Sequence, residues 1–301
     1  MDPLIVVFGL GVGILVGLTG IGGGSLMTPL LILAVGTQPI IAIGTDLAYG
    51  AVTKTVGGWQ HLRQGSVDLR VSMWLAFGSV PGALLGVWLV DRLHNRYGDG
   101  FDGVLLVCIA VALLVVAVTV LARALFMKRP EAREVATADL TGRRRFAAVA
   151  IGAVLGVVLG FTSLGSGALI GFALILFFRL TPGRVVGTDV FHAAILLWAA
   201  GLAHLVAGNV DFGLMANILL GSVPGVWIGA TVMPRVPVAA LRATLGCVLL
   251  GSALGVLSKA GLDIPVAVIF GTPLALGALA AVAHRSRTVA PSSPPATKEA
   301  A

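Results

Sequence analysis

Residues 39–82 read PIIAIGTDLAYGAVTKTVGGWQHLRQGSVDLRVSMWLAFGSVPG, and residues 182–225 read PGRVVGTDVFHAAILLWAAGLAHLVAGNVDFGLMANILLGSVPG. Laid on each other without a gap, they match Pro39 with Pro182, Gly44-Thr45-Asp46 with Gly187-Thr188-Asp189, His61-Leu62 with His204-Leu205 and Gly65 with Gly208. The register runs on through Val67-Asp68 against Val210-Asp211 to GSVPG at 78–82 against GSVPG at 221–225. It also extends backwards, placing Thr19 on Thr162, Gly22 on Gly165, Gly24 on Gly167 and Leu26 on Leu169. Apolar segments resemble one another through composition, but matched Asp, His and Pro in a single register do not arise that way. The chain is an internal duplication.

Composition sets the solvent. Apolar residues make up 57% and charged residues 11%, and the mean hydropathy is +1.02. A soluble domain needs roughly a quarter of its residues charged to cover its surface, so lipid must surround most of this chain. Long apolar runs recur at 71–90, 101–122, 146–161, 213–233 and 264–283, which suits spanning helices. Only helices and closed barrels satisfy their backbones in lipid, and these runs are too continuous for the alternation of a barrel. The expected fold class is therefore an all-α polytopic membrane protein. The net charge of +7 sits in loops and tail, where it orients the chain in a bilayer; no nucleic-acid partner is expected. Cys108 and Cys247 lie inside apolar runs without ligand spacing and read as small core residues. No metal site and no cofactor is expected.

The chain divides into a first membrane half (1–126), a basic linker (127–145), a second membrane half (146–284) and a Pro/Ser/Ala-rich tail (285–301) that reads as disordered. Each half has one plan. A short apolar segment (3–18; 146–161) leads into a glycine-rich break and a second short segment (25–35; 168–178). Three longer spans follow (39–62, 71–90 and 101–126; 182–206, 213–233 and 239–257), and the second half adds 264–283. The first segments are too short to cross alone: sixteen residues rise about 24 Å against about 30 Å of hydrocarbon. A hairpin whose turn lies deep in the membrane is the expected arrangement. Lys128, Arg129, Arg133, Arg143, Arg144 and Arg145 place the linker in the cytoplasm, and the basic tail with it. Counting helices from there puts the two halves in opposite orientation. Inverted repeats with broken helices at the midplane are characteristic of secondary transporters.

The candidate site follows from the breaks. A helix beginning inside the membrane offers free N–H groups and partial positive charge, and glycine lets a ligand approach the backbone closely. Thr19, Gly22, Gly23, Gly24, Ser25, Thr162, Ser163, Gly165, Ser166 and Gly167 form the two breaks, with Thr45 and Thr188 behind them. Such a set suits an oxyanion; the glycines equally suit close helix packing. Asp46 and Asp189 lie in apolar sequence, where ionisable groups are costly and usually functional. They are read as proton carriers or as helix N-caps. Lys54, which has Leu197 at its repeat position, pairs with Asp46, counters a substrate charge or snorkels to the interface. His61 and His204 lie near helix ends, and His192 matches Tyr49 as a weaker candidate. Pro81 and Pro224 are candidate hinges.

Gly17-Leu-Thr-Gly-Ile-Gly-Gly-Gly-Ser-Leu26, then Pro29, Gly44-Thr45 and Gly78–Gly82, resembles the TauE/SafE sulfite exporter family. So does the second copy, Gly160-Phe-Thr-Ser-Leu-Gly-Ser-Gly-Ala-Leu169 with Gly187-Thr188. The resemblance implies a multi-pass inner-membrane transporter of a small anion such as sulfite, a sulfonate or thiosulfate. The family often carries a neutral Ser or Asn after Gly-Thr. The aspartates at 46 and 189 therefore point to proton coupling or an unusual substrate. The expected protein is a monomer or homodimer in the bilayer. A passive anion channel and, more remotely, a membrane-embedded enzyme are the alternatives; no nucleophile with a matched base is evident.

Overall fold

The computed structural model describes residues 3–19, 24–125, 140–232 and 238–288. They form helices α1 (Pro3–Thr19), α2 (Gly24–Leu30, continued by a π turn over Leu31–Val35), α3 (Pro39–Arg63), α4 (Leu69–Tyr97) and α5 (Asp99–Leu125). After the linker come α6 (Gly142–Thr162), α7 (Ala168–Phe178), α8 (Pro182–Val206), α9 (Phe212–Val232), α10 (Val238–Lys259) and α11 (Val266–Thr288). Gly22, Gly23, most of the linker and residues 289–301 lie outside the described residues.

Five of these helices are long and apolar enough to cross a membrane: Leu69–Tyr97, Gly100–Ala122, Gly142–Thr162, Gly183–Val206 and Phe212–Gly229. Several sequence boundaries need correction: α4 runs on past 90 to Tyr97, and α11 continues past 284 to Thr288. The first segment of the second half is not a short 146–161 piece: α6 starts at Gly142 and runs 21 residues, about 31 Å. The three arginines at 143–145 extend the helix where apolar content had ended, with Arg145 Nε donating to Leu140 O at 3.0 Å. Its counterpart α1 has 17 residues, and α2 and α7 are shorter still.

The matched motif that opens the analysis is a stop-and-restart signal. In α3, Gly65 sits at φ 65°, its N–H donates to Leu62 O, and the Ser66 N–H donates to His61 O, both at 3.1 Å. This pair of bonds closes a helix through a left-handed glycine. Three residues later Asp68 caps α4, accepting the Val71 N–H at 3.1 Å. Gly208 (φ 81°), His204, Leu205, Asn209, Asp211 and Leu214 repeat the arrangement between α8 and α9. The reading of Asp46 and Asp189 as helix caps does not hold, because α3 starts at Pro39 and α8 at Pro182. Capping falls to Asp68 and Asp211.

The most extensive helix contacts join one half to the other: α1 with α9, α6 with α4, α3 with α8, and α5 with α10. Exchanging the two halves maps this list onto itself. Glycine ladders explain the first two pairs. A Cβ on Gly9 or Gly13 of α1 would meet the Ile218 or Ser222 carbonyl oxygen of α9, and one on Gly152 or Gly156 of α6 would meet that of Leu75 or Ser79 of α4. Facing glycines on α9 (Gly221, Gly225, Gly229) and α4 (Gly78, Gly82, Gly86) approach the partner backbone equally closely. With no hydrophobic driving force inside lipid, such backbone-to-backbone contact is how helices associate. Pro81 and Pro224 lie inside α4 and α9, both of which continue through them.

α3 and its repeat counterpart α8 cross antiparallel: Gly50 meets Leu197, Gly57 meets Val190, and Gly201 meets Ala48. α5 shows how the bundle faces its solvent. Leu105, Ile109, Leu113, Val116 and Val120 are buried, while Val104, Val107, Val111, Val115 and Val118 are exposed. Both stripes are apolar, the pattern of a helix between a protein core and lipid.

Candidate functional site

The second glycine break lies inside the protein. Between α6 and α7, residues 163–167 leave helical geometry, with Ser163 (φ 61°), Gly165 (φ 127°) and Gly167 (φ 94°) in left-handed conformations. Thr162, Ser163, Leu164 and Ser166 are nonetheless almost wholly buried. Irregular backbone at this depth needs polar partners, and the two aspartates supply them. Ser163 Oγ donates to Asp46 Oδ2 at 2.9 Å, and the Gly167 N–H donates to Asp189 Oδ1 at 3.2 Å. One five-residue turn thus bridges both carboxylates.

Asp46 is 1% exposed. Its Oδ2 also takes Thr28 Oγ1 of α2 at 2.6 Å, and the two hydroxyls, Thr28 Oγ1 and Ser163 Oγ, stand 2.5 Å apart. Oδ1 has no partner within hydrogen-bonding geometry among the described residues, although the Thr28 backbone N–H also lies near the carboxyl group. Two turns along α3, Lys54 is buried and interacts electrostatically with Asp189 rather than Asp46. The antiparallel crossing explains this choice. It sets Gly57 of α3 beside Val190 of α8, which brings Asp189 to the level of Lys54 and leaves Asp46 at the other end.

A cleft at this crossing is lined by Asp46, Gly50, Thr53, Lys54, Ser163, Ser166 and Leu197. Its enclosed space is about 10 Å³, room for about one water. Four sequence candidates therefore meet here: Asp46, Lys54, Ser163 and Ser166. Asp189 and Gly167, which bond to each other, are not part of the lining. Ser25, at the start of α2, is buried, with Oγ unpartnered among the described residues. Thr162 donates to Val158 O at 2.6 Å and accepts the Leu164 N–H at 3.3 Å, which shapes the turn. Gly165 supplies the turn's most positive φ. Thr19 closes α1 and Gly24 opens α2.

Thr45 and Thr188 point elsewhere. The Asp211 N–H donates to Thr45 Oγ1 at 3.0 Å, and the Asp68 N–H donates to Thr188 Oγ1 at 2.8 Å. Each threonine therefore holds the capping residue of a helix from the opposite half. The glycine before it makes room: a Cβ at Gly44 would meet Asn209 O, and one at Gly187 would meet Ser66 O. His192 is fully buried, its Nε2 3.2 Å from Ser79 Oγ and its Nδ1 3.3 Å from Ser72 O. His204 Nε2 lies 3.1 Å from Gly160 O, and His61 Nδ1 lies 3.0 Å from Ser66 Oγ. Pro81 and Pro224 are removed from the cleft lining.

Sequence reasoning missed Thr28 and Thr53. Thr28 follows Ser25 by three residues on one helix face, a spacing that was legible. Thr53 had no comparable signal, because its place depends on how α3 crosses α8.

Comparison with known proteins agrees with this architecture. The chain is 37% identical over 254 residues to "Probable membrane transporter protein YjnA" of Bacillus subtilis (strain 168), covering 84% of this chain and 99% of that one. It is 29% identical over 232 residues to "Probable membrane transporter protein YdhB" of the same organism, covering 74% and 88%. A "Probable membrane transporter protein" of Xylella fastidiosa (strain 9a5c) is 29% identical over 238 residues, covering 78% and 87%. No solved structure gives a significant match. The family model "Sulfite exporter TauE/SafE" matches residues 5–256, and the chain belongs to that family of membrane transporters.

Proposed function

We propose that this protein is a secondary transporter that carries a small sulfur-containing anion, such as sulfite, a sulfonate or thiosulfate, across the inner membrane by alternating access coupled to protons. The observation that carries this reading is the buried cleft at the α3–α8 crossing, which combines a lysine, two serine hydroxyls and an interrupted backbone with a second ionisable group, Asp46. Lys54 and the hydroxyls recognise the anion, and the carboxyl group couples its movement to protons. The antiparallel packing of α3 against α8, which are repeat counterparts, supports inverted halves related by a pseudo-twofold axis. The linker and the basic tail lie in the cytoplasm in this reading, following their arginines and lysines.

The test is thermal unfolding of detergent-purified protein against sulfite, thiosulfate, taurine, sulfoacetate, sulfate, phosphate and acetate. A ligand at a hundred times its Kd stabilises the folded state by about 2.7 kcal/mol. A rise in Tm with one or more sulfur anions, lost in Lys54→Met, is the expected result. A rise only with acetate or phosphate would leave a transporter fold with a different cargo.

A further inference from the structure

The two repeat-matched aspartates differ in their partners, and three of the positions around them break the repeat. Thr28 aligns with Gly171, Ser163 with Gly20, and Lys54 with Leu197. Asp46 meets two hydroxyls, while Asp189 meets a backbone N–H and has the Lys54 ammonium group within electrostatic reach. Building on the transport reading above, we infer that the carrier moves one proton with each anion in the same direction, with Asp46 as the proton site and Lys54, within electrostatic reach of Asp189, as the cation that receives the anion.

The oxygen geometry around Asp46 carries the first step. Thr28 Oγ1, Ser163 Oγ and Asp46 Oδ2 make three mutual contacts of 2.5, 2.6 and 2.9 Å. Each contact needs a proton between its oxygens, and the two hydroxyls supply two. A proton on the carboxyl oxygen supplies the third: Asp46 then donates to one hydroxyl, that hydroxyl turns its own proton to the other, and the ring closes. Asp189 instead accepts a backbone N–H and has the Lys54 cation within electrostatic reach, surroundings that suit an ionised carboxylate. Other titratable groups stand on and against α3, among them His61, which lies 3.0 Å from Ser66 Oγ and within electrostatic reach of Lys54. Tyr49 lies by Ser222 and within electrostatic reach of Asp46. His192 contacts Ser79 and Ser72, and His204 contacts Gly160. On α8, Arg184 donates to Val67 O at 2.9 Å.

The cleft carries the second step. Asp46 and Lys54 line the same small space, so an anion seated on Lys54 shares it with the Asp46 carboxyl group. Two like charges about 6 Å apart at an effective dielectric of about 20 weaken binding by roughly a hundredfold. The anion therefore binds well only when Asp46 is protonated, and the proton is retained best when the anion is bound. Reciprocal linkage of this kind makes the doubly loaded and the empty carriers the favoured forms. A carrier that crosses in those two forms moves proton and anion together.

The full chain would be reconstituted in liposomes that enclose a pH dye, with the membrane potential clamped. Methanesulfonate is the probe, because its single charge does not change with pH. An inward methanesulfonate gradient should acidify the interior, with about one proton entering per anion. Asp46→Asn should keep methanesulfonate counterflow and lose the acidification. Asp189→Asn should keep the proton-to-anion ratio. Internal alkalinisation, anion uptake without a pH change, or loss of coupling in Asp189→Asn but not in Asp46→Asn would each overturn the inference and leave transport standing. If Asp46→Asn does not fold, the sign of the wild-type pH change still decides. No uptake of methanesulfonate, sulfite or thiosulfate would overturn the transport reading and this inference with it.

Discussion

Thr45 and Thr188 look interchangeable in sequence, yet the positions they serve differ in access to water. Thr188 Oγ1 accepts the N–H of Asp68, which is 4% exposed, whereas Thr45 serves Asp211 at the exposed start of α9. Leaving a buried donor unsatisfied costs about 1–3 kcal/mol, while water replaces a lost partner at an exposed one. Thr188→Val should therefore lower stability by about 1–3 kcal/mol, and Thr45→Val by clearly less. Thr188→Ser should restore most of the loss. Chemical unfolding in detergent would measure all three variants, and equal losses at both sites would refute the water argument. Residue roles were the hardest part to read in advance for this reason. Thr45, Asp46, Thr188 and Asp189 are adjacent and equally matched in the repeat, but successive helical residues face about 100° apart. Asp46 therefore meets the cleft while Thr45 meets the other half, and the sequence match cannot distinguish them.

At the scale of elements, the repeat and the hydropathy carried most of the information. The helix following Pro39, the glycine stop at 65 and the restart at 69 recur at 182, 208 and 212 because they are encoded by local backbone chemistry. The end of α6 was legible and its start was not, because an arginine run at a membrane surface continues a helix without any apolar mark. Helix partners were also hidden, although the glycines that fix them were visible. Within α1, Gly11 has open space where a Cβ would stand, but a Cβ on Gly13 would come within 2.4 Å of the Ser222 carbonyl oxygen. Gly11→Ala should leave stability within about 0.5 kcal/mol of wild type or slightly improve it. Gly13→Ala should force α1 from α9 and cost about 1–3 kcal/mol. Gly156→Ala, facing Ser79 O at 2.2 Å on the α6–α4 pair, should behave like Gly13→Ala. Melting of the three purified variants would check the pairing; a neutral Gly13→Ala would mean that α1 and α9 are not held backbone to backbone.

For the whole molecule, the distribution of contacts constrains how the cleft can open. A rocking motion of one sequence half against the other would have to separate α1 from α9 and α4 from α6, the two glycine-packed pairs. Each pair contains one helix from each half, so the pairs are better candidates for rigid bodies than the halves are. In that arrangement α1–α9 and α4–α6 tilt about the α3–α8 crossing, where contact is made by Gly50, Gly57, Gly58 and Gly201 against side chains and backbone of the opposite helix. A cleft of about 10 Å³ is too small for a sulfonate, and Ser166 within it is 3% exposed, so a reagent can reach that residue only while the pairs are tilted apart. Ser166→Cys, made with Cys108 and Cys247 replaced, should react with a charged, membrane-impermeant thiol reagent from either side of the membrane. The rate should fall at least tenfold below that of the exposed control Asn95→Cys. Added sulfonate should slow labelling from both sides by occupying the cleft. A passive channel would instead leave Ser166→Cys open to both sides at once, with labelling near the control rate, and that result would exclude alternating access however the anion itself is recognised.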